Sequence, residues 1–174
     1  MIRAADRRAE IPGHLRSWLF DPRSLSRRLS RACPGGFRVR LIAQGWHAPL
    51  ASERRALCLP LRERALIREV LLLCHDTPWV YARSVFPAHT LRGAQRRLAH
   101  LGTRPLGRVL FATRGMRRTA VRVSAAHGDG DMLVRCNAAL GRTPQHAWKR
   151  ASVFQCRGRT LLVSEIFLEA FARD

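Results

Sequence analysis

The run 66–87 limits the folds open to this chain more than any other stretch. Leu66, Ile67, Val70, Leu71, Leu72 and Leu73 are apolar and β-prone, His75-Asp76-Thr77-Pro78 carries turn chemistry, and Trp79, Val80, Tyr81, Val85 and Phe86 resume the strand. Such a segment reads as a β-hairpin. Inside it sit Arg68 and Arg83, and charged side chains on otherwise buried strands are costly unless something pairs them. With 75–78 as the turn, Cys74 pairs with Trp79, Val70 with Arg83 and Arg68 with Val85. The two arginines are then diagonal neighbours on one face, about 7–8 Å apart between backbones. A loop one residue shorter or longer breaks this arrangement, because a one-residue slip turns a strand's side chains to the opposite face. Two guanidiniums on one face suit an acidic guest, above all a dicarboxylate held by charge-assisted hydrogen bonds. The structural alternative is that both point to solvent or pair with Glu69 and Asp76.

A second strand-like run, 159–168, supplies the counterpart. Its alternation puts Glu165 on the face of Leu161, Val163 and Phe167, with apolar residues on the other face too. Strands apolar on both sides are usually central, so Glu165 is expected to be partly buried. It is either one half of an ion pair with an arginine or a carboxylate that receives a polar atom of a substrate.

The chain has 174 residues, enough for one domain that buries about 70% of the unfolded surface, with residues 1–12 as a flexible Arg-rich leader. It lacks an apolar run near the roughly 20 residues of a membrane span, and 1–10 has no hydrophobic stretch for a signal peptide; a soluble, cytoplasmic protein is expected. The five cysteines are scattered and never in a C-x-x-C arrangement, which argues against a metal site and against a disulfide framework, so reduced thiols are expected. A formal charge of +20 suggests nucleic acid, but Lys149 is the only lysine and 31 of the 32 basic residues are arginines spread along the whole chain. No helix-turn-helix, RNA-binding or zinc-finger signature accompanies them. The charge reads as a solvated surface, with a secondary attraction to anionic membranes and a steering field for small anions.

In chain order, 12–29 reads as helix, broken at Asp21-Pro22, and 37–42 as a strand. A polar connection over 47–60 holds a short helix near 52–57, and the hairpin follows. Leu91, Ala94, Leu98 and Leu101 recur at helical spacing, 103–108 is a cap and turn, 116–123 a strand, 124–147 loop-like, and 152–168 a closing hairpin. This order predicts an α+β domain built on a single antiparallel β-sheet with helices on one face.

Four stretches, in register and in order, then carry a resemblance: Ile67-Arg68-Glu69-Val70-Leu71-Leu72; Pro78-Trp79 with Ala82-Arg83-Ser84-Val85-Phe86-Pro87; 101–111 around Thr103-Arg104-Pro105-Leu106-Gly107; and 161–168 around Glu165. From about Trp18 onward the chain resembles bacterial chorismate lyase. The resemblance implies helical flaps closing over an internal ligand site, no metal and no organic cofactor. It implies a monomer whose ligands are chorismate and 4-hydroxybenzoate, and release of pyruvate as the first committed step toward ubiquinone. Carried over by position, Arg68 takes the ring carboxylate together with the Leu106 backbone amide, Arg83 the enolpyruvyl carboxylate, and Glu165 the ring hydroxyl, with a flap amide from Leu25. Glu165 is either a base toward the ring hydrogen or an anchor for the hydroxyl. The 124–147 segment is longer than the family pattern.

Two rival classes make different predictions. A ligand-sensing domain of the same fold would carry a DNA-binding helix-turn-helix, for which the short leader leaves no room. A basic nucleic-acid-binding protein would show steeply salt-dependent affinity for duplex or RNA.

Overall fold

The computed structural model describes residues 2–4, for their backbone, and 11–171. Six strands form an open antiparallel sheet: β2 (Phe37–His47), β3 (Ala65–Cys74), β4 (Thr77–Pro87), β5 (Arg117–Ala125), β6 (Trp148–Cys156) and β7 (Arg159–Phe167), in the spatial order β5-β6-β7-β4-β3-β2. A short β1 (Ile2–Ala4) adds to the outer side of β5 in parallel. The leader expected to be flexible over 1–12 thus lies largely outside the described residues; of its described parts, β1 pairs with the sheet and Ile11 is buried. As the double-sided apolar pattern implied, β3, β4 and β7 are central and buried almost throughout.

The α+β class and the antiparallel sheet are as the sequence implies, but the helices, expected on one face, cover both. On the first face lie α1 (Gly13–Leu19), α2 (Leu25–Ala32), a 3₁₀ segment (Gly93–His100) and α4 (Leu106–Ala112). Leu19 and Leu29 pack there on Val70, Val80 and Phe167, and Leu98 and Leu110 on Leu66, Phe86 and Phe154. Each such buried leucine or phenylalanine contributes about 1.5–3 kcal/mol. On the second face, α3 (Ala51–Leu57) sets Leu57 against Ile67, Val85 and Leu162. Beside it, α5 (Gly130–Leu140) sets Met132 and Cys136 against Leu71, Tyr81 and Ile166. This α5 occupies the segment expected to be loop. Its start is capped by the Asp129 side chain, which accepts from the Met132 amide, and it ends at Gly141 in the left-handed region at φ 69°.

The hairpin departs from the expected pairing by one residue. Its loop is His75-Asp76, with His75 left-handed, and Cys74 pairs with Thr77; a bulge then leaves Trp79 unmatched, so Leu72 pairs with Val80. The net slip makes Glu69 the partner of Arg83 and Ser84 the partner of Arg68. Arg68 and Arg83 therefore stand on opposite faces of the sheet, and the shared face predicted from a four-residue turn does not form.

The expectation of reduced cysteines also needs correction, because Cys33 and Cys74 are joined, their Cα atoms 5.8 Å apart across 41 residues of sequence. Cys33 caps the end of α2, and four residues later Phe37 pairs with Cys74 in the sheet, which brings the two thiols together. Cys58, Cys136 and Cys156 are free.

Candidate functional site

The first face of the sheet holds an internal cavity floored by β3, β4 and β7 and roofed by the N-terminal ends of α2 and α4. Arg68, Glu165, Leu25 and Leu106, all singled out in the sequence, line it. The roof depends on a close approach of the two helices. A Cβ on Gly107 would come within 2.7 Å of the Ser24 Oγ and 2.8 Å of the Ser26 Oγ, two hydroxyls that contact one another at the start of α2. Glycine is what lets these flaps meet over the cavity.

Arg68 is 1% exposed, and its Nη2 donates to the Gly102 and Arg104 carbonyls at 2.9 and 3.1 Å, while its Nε has no acceptor. The turn that grips the guanidinium runs directly into α4, so Leu106 enters the cavity beside Arg68 with the first amide of a helix, which has no intrahelical acceptor. Among the described residues no carboxylate pairs with Arg68, and burial brings its pKa down to about 10. A buried cation of this kind has an unmet demand for an anion.

Glu165 stands on β7, in the middle of the sheet. Its Oε2 accepts from the Arg150 Nε at 2.7 Å, and Arg150, on β6, is 0% exposed. Arg150 also donates through Nη1 to the Trp18 and Asp21 carbonyls. Glu165 is therefore half of a buried ion pair, and it also lines the cavity.

A second guanidinium in the cavity wall escaped the sequence reading. Arg118 on β5 lies over the Phe111 and Phe154 rings at 5.4 and 5.1 Å, and its Nη1 donates to the Asp21 carbonyl at 2.9 Å. Burial, then repulsion from Arg150, brings its pKa down to about 10, and among the described residues no carboxylate pairs with it. The signal for both residues was alternation: a strand begun at Trp148 puts Arg150 on the face of Ser152 and Phe154, and Phe154 pairs with Arg118.

Arg83 is not at this site. On the second face it donates to Glu53 of α3 through Nε at 2.7 Å and Nη2 at 3.1 Å, and to Glu69 through Nη1 at 2.5 Å. Burial alone would lower its pKa; the two carboxylates outweigh it and hold the value above the ordinary one. Arg83→Gln should therefore cost about 3 kcal/mol of stability, by leaving buried carboxylates unpaired, with ligand affinity in the cavity unchanged. Urea unfolding and a binding titration on the folded variant check this; intact stability with weakened binding would return Arg83 to the site.

A larger groove on the second face, between α3 and β5 to β7, is open to solvent, and Lys149 at its wall already meets Asp129. Among the described residues one group, Cys33, Cys74 and His75, gathers potential metal donors, but its two sulfurs are joined to each other.

Comparison with known proteins adds an independent line. Residues 3–174 match the family described as Chorismate lyase. The chain is 46% identical over 156 residues to "Probable chorismate pyruvate-lyase" of Methylococcus capsulatus, covering 90% of this chain and 95% of that one. It is 43% identical over 172 residues to the protein of the same name from Azoarcus sp., covering 97% and 87%. Among solved structures, a GntR-family transcriptional regulator from Bacillus cereus superposes with a TM-score of 0.58 at 14% identity, covering 80% of this chain and 97% of that one. The C-terminal domain of a histidine utilization repressor from Pseudomonas syringae gives 0.55 at 10% identity, covering 79% and 95%. At these identities the structural likeness concerns the fold alone.

Proposed function

The chain belongs to the chorismate lyase family, and from that premise we propose that it converts chorismate to 4-hydroxybenzoate and pyruvate, the entry to ubiquinone formation, with no metal or organic cofactor. The observation that carries this reading is Arg68, a buried guanidinium without a carboxylate partner among the described residues, in a cavity that also holds Glu165. Chorismate brings the carboxylate that Arg68 lacks and the hydroxyl that a carboxylate can receive. The ring carboxylate sits on Arg68 and the Leu106 amide. Glu165 accepts the ring hydroxyl, Arg150 holds that carboxylate in place, and the Leu25 amide closes the flap side.

The reaction breaks the bond between the ring carbon and the ether oxygen. The hydroxyl-bearing carbon gives up its proton, either to Glu165 or directly to the enolpyruvyl methylene, the electron pair of that C–H bond completes the aromatic ring, and the ether oxygen leaves with the enolpyruvyl group. Protonation of the methylene carbon then yields pyruvate. Aromatisation supplies the driving force, so the protein contributes by fixing the reactive conformer and favouring charge on the departing oxygen. A sensor domain of this fold would bind a ligand without consuming it. Incubation of the purified protein with chorismate after exhaustive chelation tests the reading: pyruvate and 4-hydroxybenzoate should appear in equal amounts at an undiminished rate. Binding without turnover would favour the sensor.

A further inference from the structure

A buried guanidinium, Arg68, and a half-buried one, Arg118, line one cavity, and the reading above gives work to only the first. Arg68 reaches in from β3 and Arg118 from β5, strands separated by β4, β7 and β6. Four inter-strand spacings of about 4.8 Å put their backbones roughly 19 Å apart across the sheet. Side chains reaching inward from both sides leave between them the room for a ring with an acidic group at each end, and Glu165 rises from β7, the middle strand of the five. Arg118 is built to stay in place. Its guanidinium carbon lies 5.4 and 5.1 Å from the Phe111 and Phe154 ring centres, its Nη1 is tied to the Asp21 carbonyl, and its buried Nε has no acceptor. Arg150, the other cation nearby, is neutralised by Glu165 and does not line the cavity.

We propose that Arg118 is the binding residue for the second carboxylate of the substrate, the one on the enolpyruvyl group, and that it stabilises the charge that gathers on that group as it leaves. This rests on the lyase reading and replaces the role that sequence resemblance assigned to Arg83. The two carboxylates of the substrate are then held from opposite ends of the cavity, on one face of the sheet, so the ether bond is fixed in position between them while Glu165 holds the ring hydroxyl. The product keeps only the ring carboxylate, so cleavage removes one of two anchors and leaves Arg118 without an anion.

The test uses that asymmetry. Affinity for 4-hydroxybenzoate and kcat/KM for chorismate are measured on the wild-type protein, Arg118→Met and Arg118→Lys. Arg118→Met should lower kcat/KM at least thirtyfold while changing 4-hydroxybenzoate affinity less than threefold, and Arg118→Lys should recover part of the rate. If Arg118→Met does not fold, the lysine variant carries the test: tenfold or more lost from kcat/KM with product affinity kept is expected, because an ammonium cannot reproduce the planar fork of donors. Equal weakening of product and substrate would overturn the assignment, as would an unchanged kcat/KM. Failure of the wild-type protein to cleave chorismate would instead remove the lyase reading, and this role with it, so the two failures are distinguishable.

Discussion

Glu165→Gln should lower stability and activity together, and a compensating double variant should separate the two. The single change removes the counter-charge of Arg150, whose side chain is 0% exposed, and breaking a buried pair in this way costs about 3–5 kcal/mol. Arg150 Nη2 already lacks an acceptor, so the site has little reserve of partners. Replacing both members, Arg150→Met with Glu165→Leu, removes both desolvated charges at similar volume, and most of the lost stability should return. Activity should not return. A carboxylate that removes the ring hydrogen is worth roughly 10²–10⁴ in rate, one that anchors the ring hydroxyl contributes a charge-assisted hydrogen bond of about 1.5–3 kcal/mol, and an apolar replacement supplies neither. Urea unfolding and initial rates of pyruvate release on the three proteins decide the matter. A double variant that is stable and turns over chorismate near the wild-type rate would confine Glu165 to the core.

Arg68→Met should nearly abolish product binding at little cost to the fold. Charge-assisted hydrogen bonds of this type contribute about 1.5–3 kcal/mol, so affinity for 4-hydroxybenzoate should fall roughly 10- to 150-fold. In the unliganded protein two effects oppose one another. The variant leaves the Gly102 and Arg104 carbonyls without their donor, but it also removes a buried cation that no carboxylate among the described residues balances. Their near cancellation predicts a Tm close to that of the wild-type protein. The ligand-induced gain is where the difference shows: a hundredfold excess of ligand over Kd stabilises by about 2.7 kcal/mol, and that gain should largely vanish at the same ligand concentration. Unchanged affinity for 4-hydroxybenzoate would take Arg68 out of the site.

Comparing Arg68 with Arg83 shows why one assignment held its place in the cavity and the other did not. Both lie on apolar strands and both are buried to 1% exposure. Local sequence marks each as a charge in need of a partner and goes no further. Arg83 found its partners in Glu69, across the hairpin, and Glu53, on a helix 30 residues earlier in the chain. Nothing in the spacing of Glu53 announces that contact, since α3 reaches the sheet only through tertiary packing. Arg68 found two carbonyls and no carboxylate among the described residues, and that difference leaves its charge open to a ligand.

What the sequence determined by itself was periodic and local: strands β3, β4 and β7 with apolar residues on both faces, Glu165 on a buried strand, the turn around His75-Asp76, and the Pro105-Leu106-Gly107 entry to a helix. These follow from side-chain period and turn chemistry, which act over a few residues. What only the tertiary structure decided was parity and long-range pairing. A two-residue loop followed by the bulge at Trp79 shifts the hairpin by one position, and because side chains alternate with a period of two, that single step sends Arg83 to the far face. The pairing of Arg150 with Glu165, the placing of Arg118 over Phe111 and Phe154, and the union of Cys33 with Cys74 join residues 7 to 41 positions apart. They exist because the order of strands in the sheet, which no local pattern encodes, makes those residues neighbours.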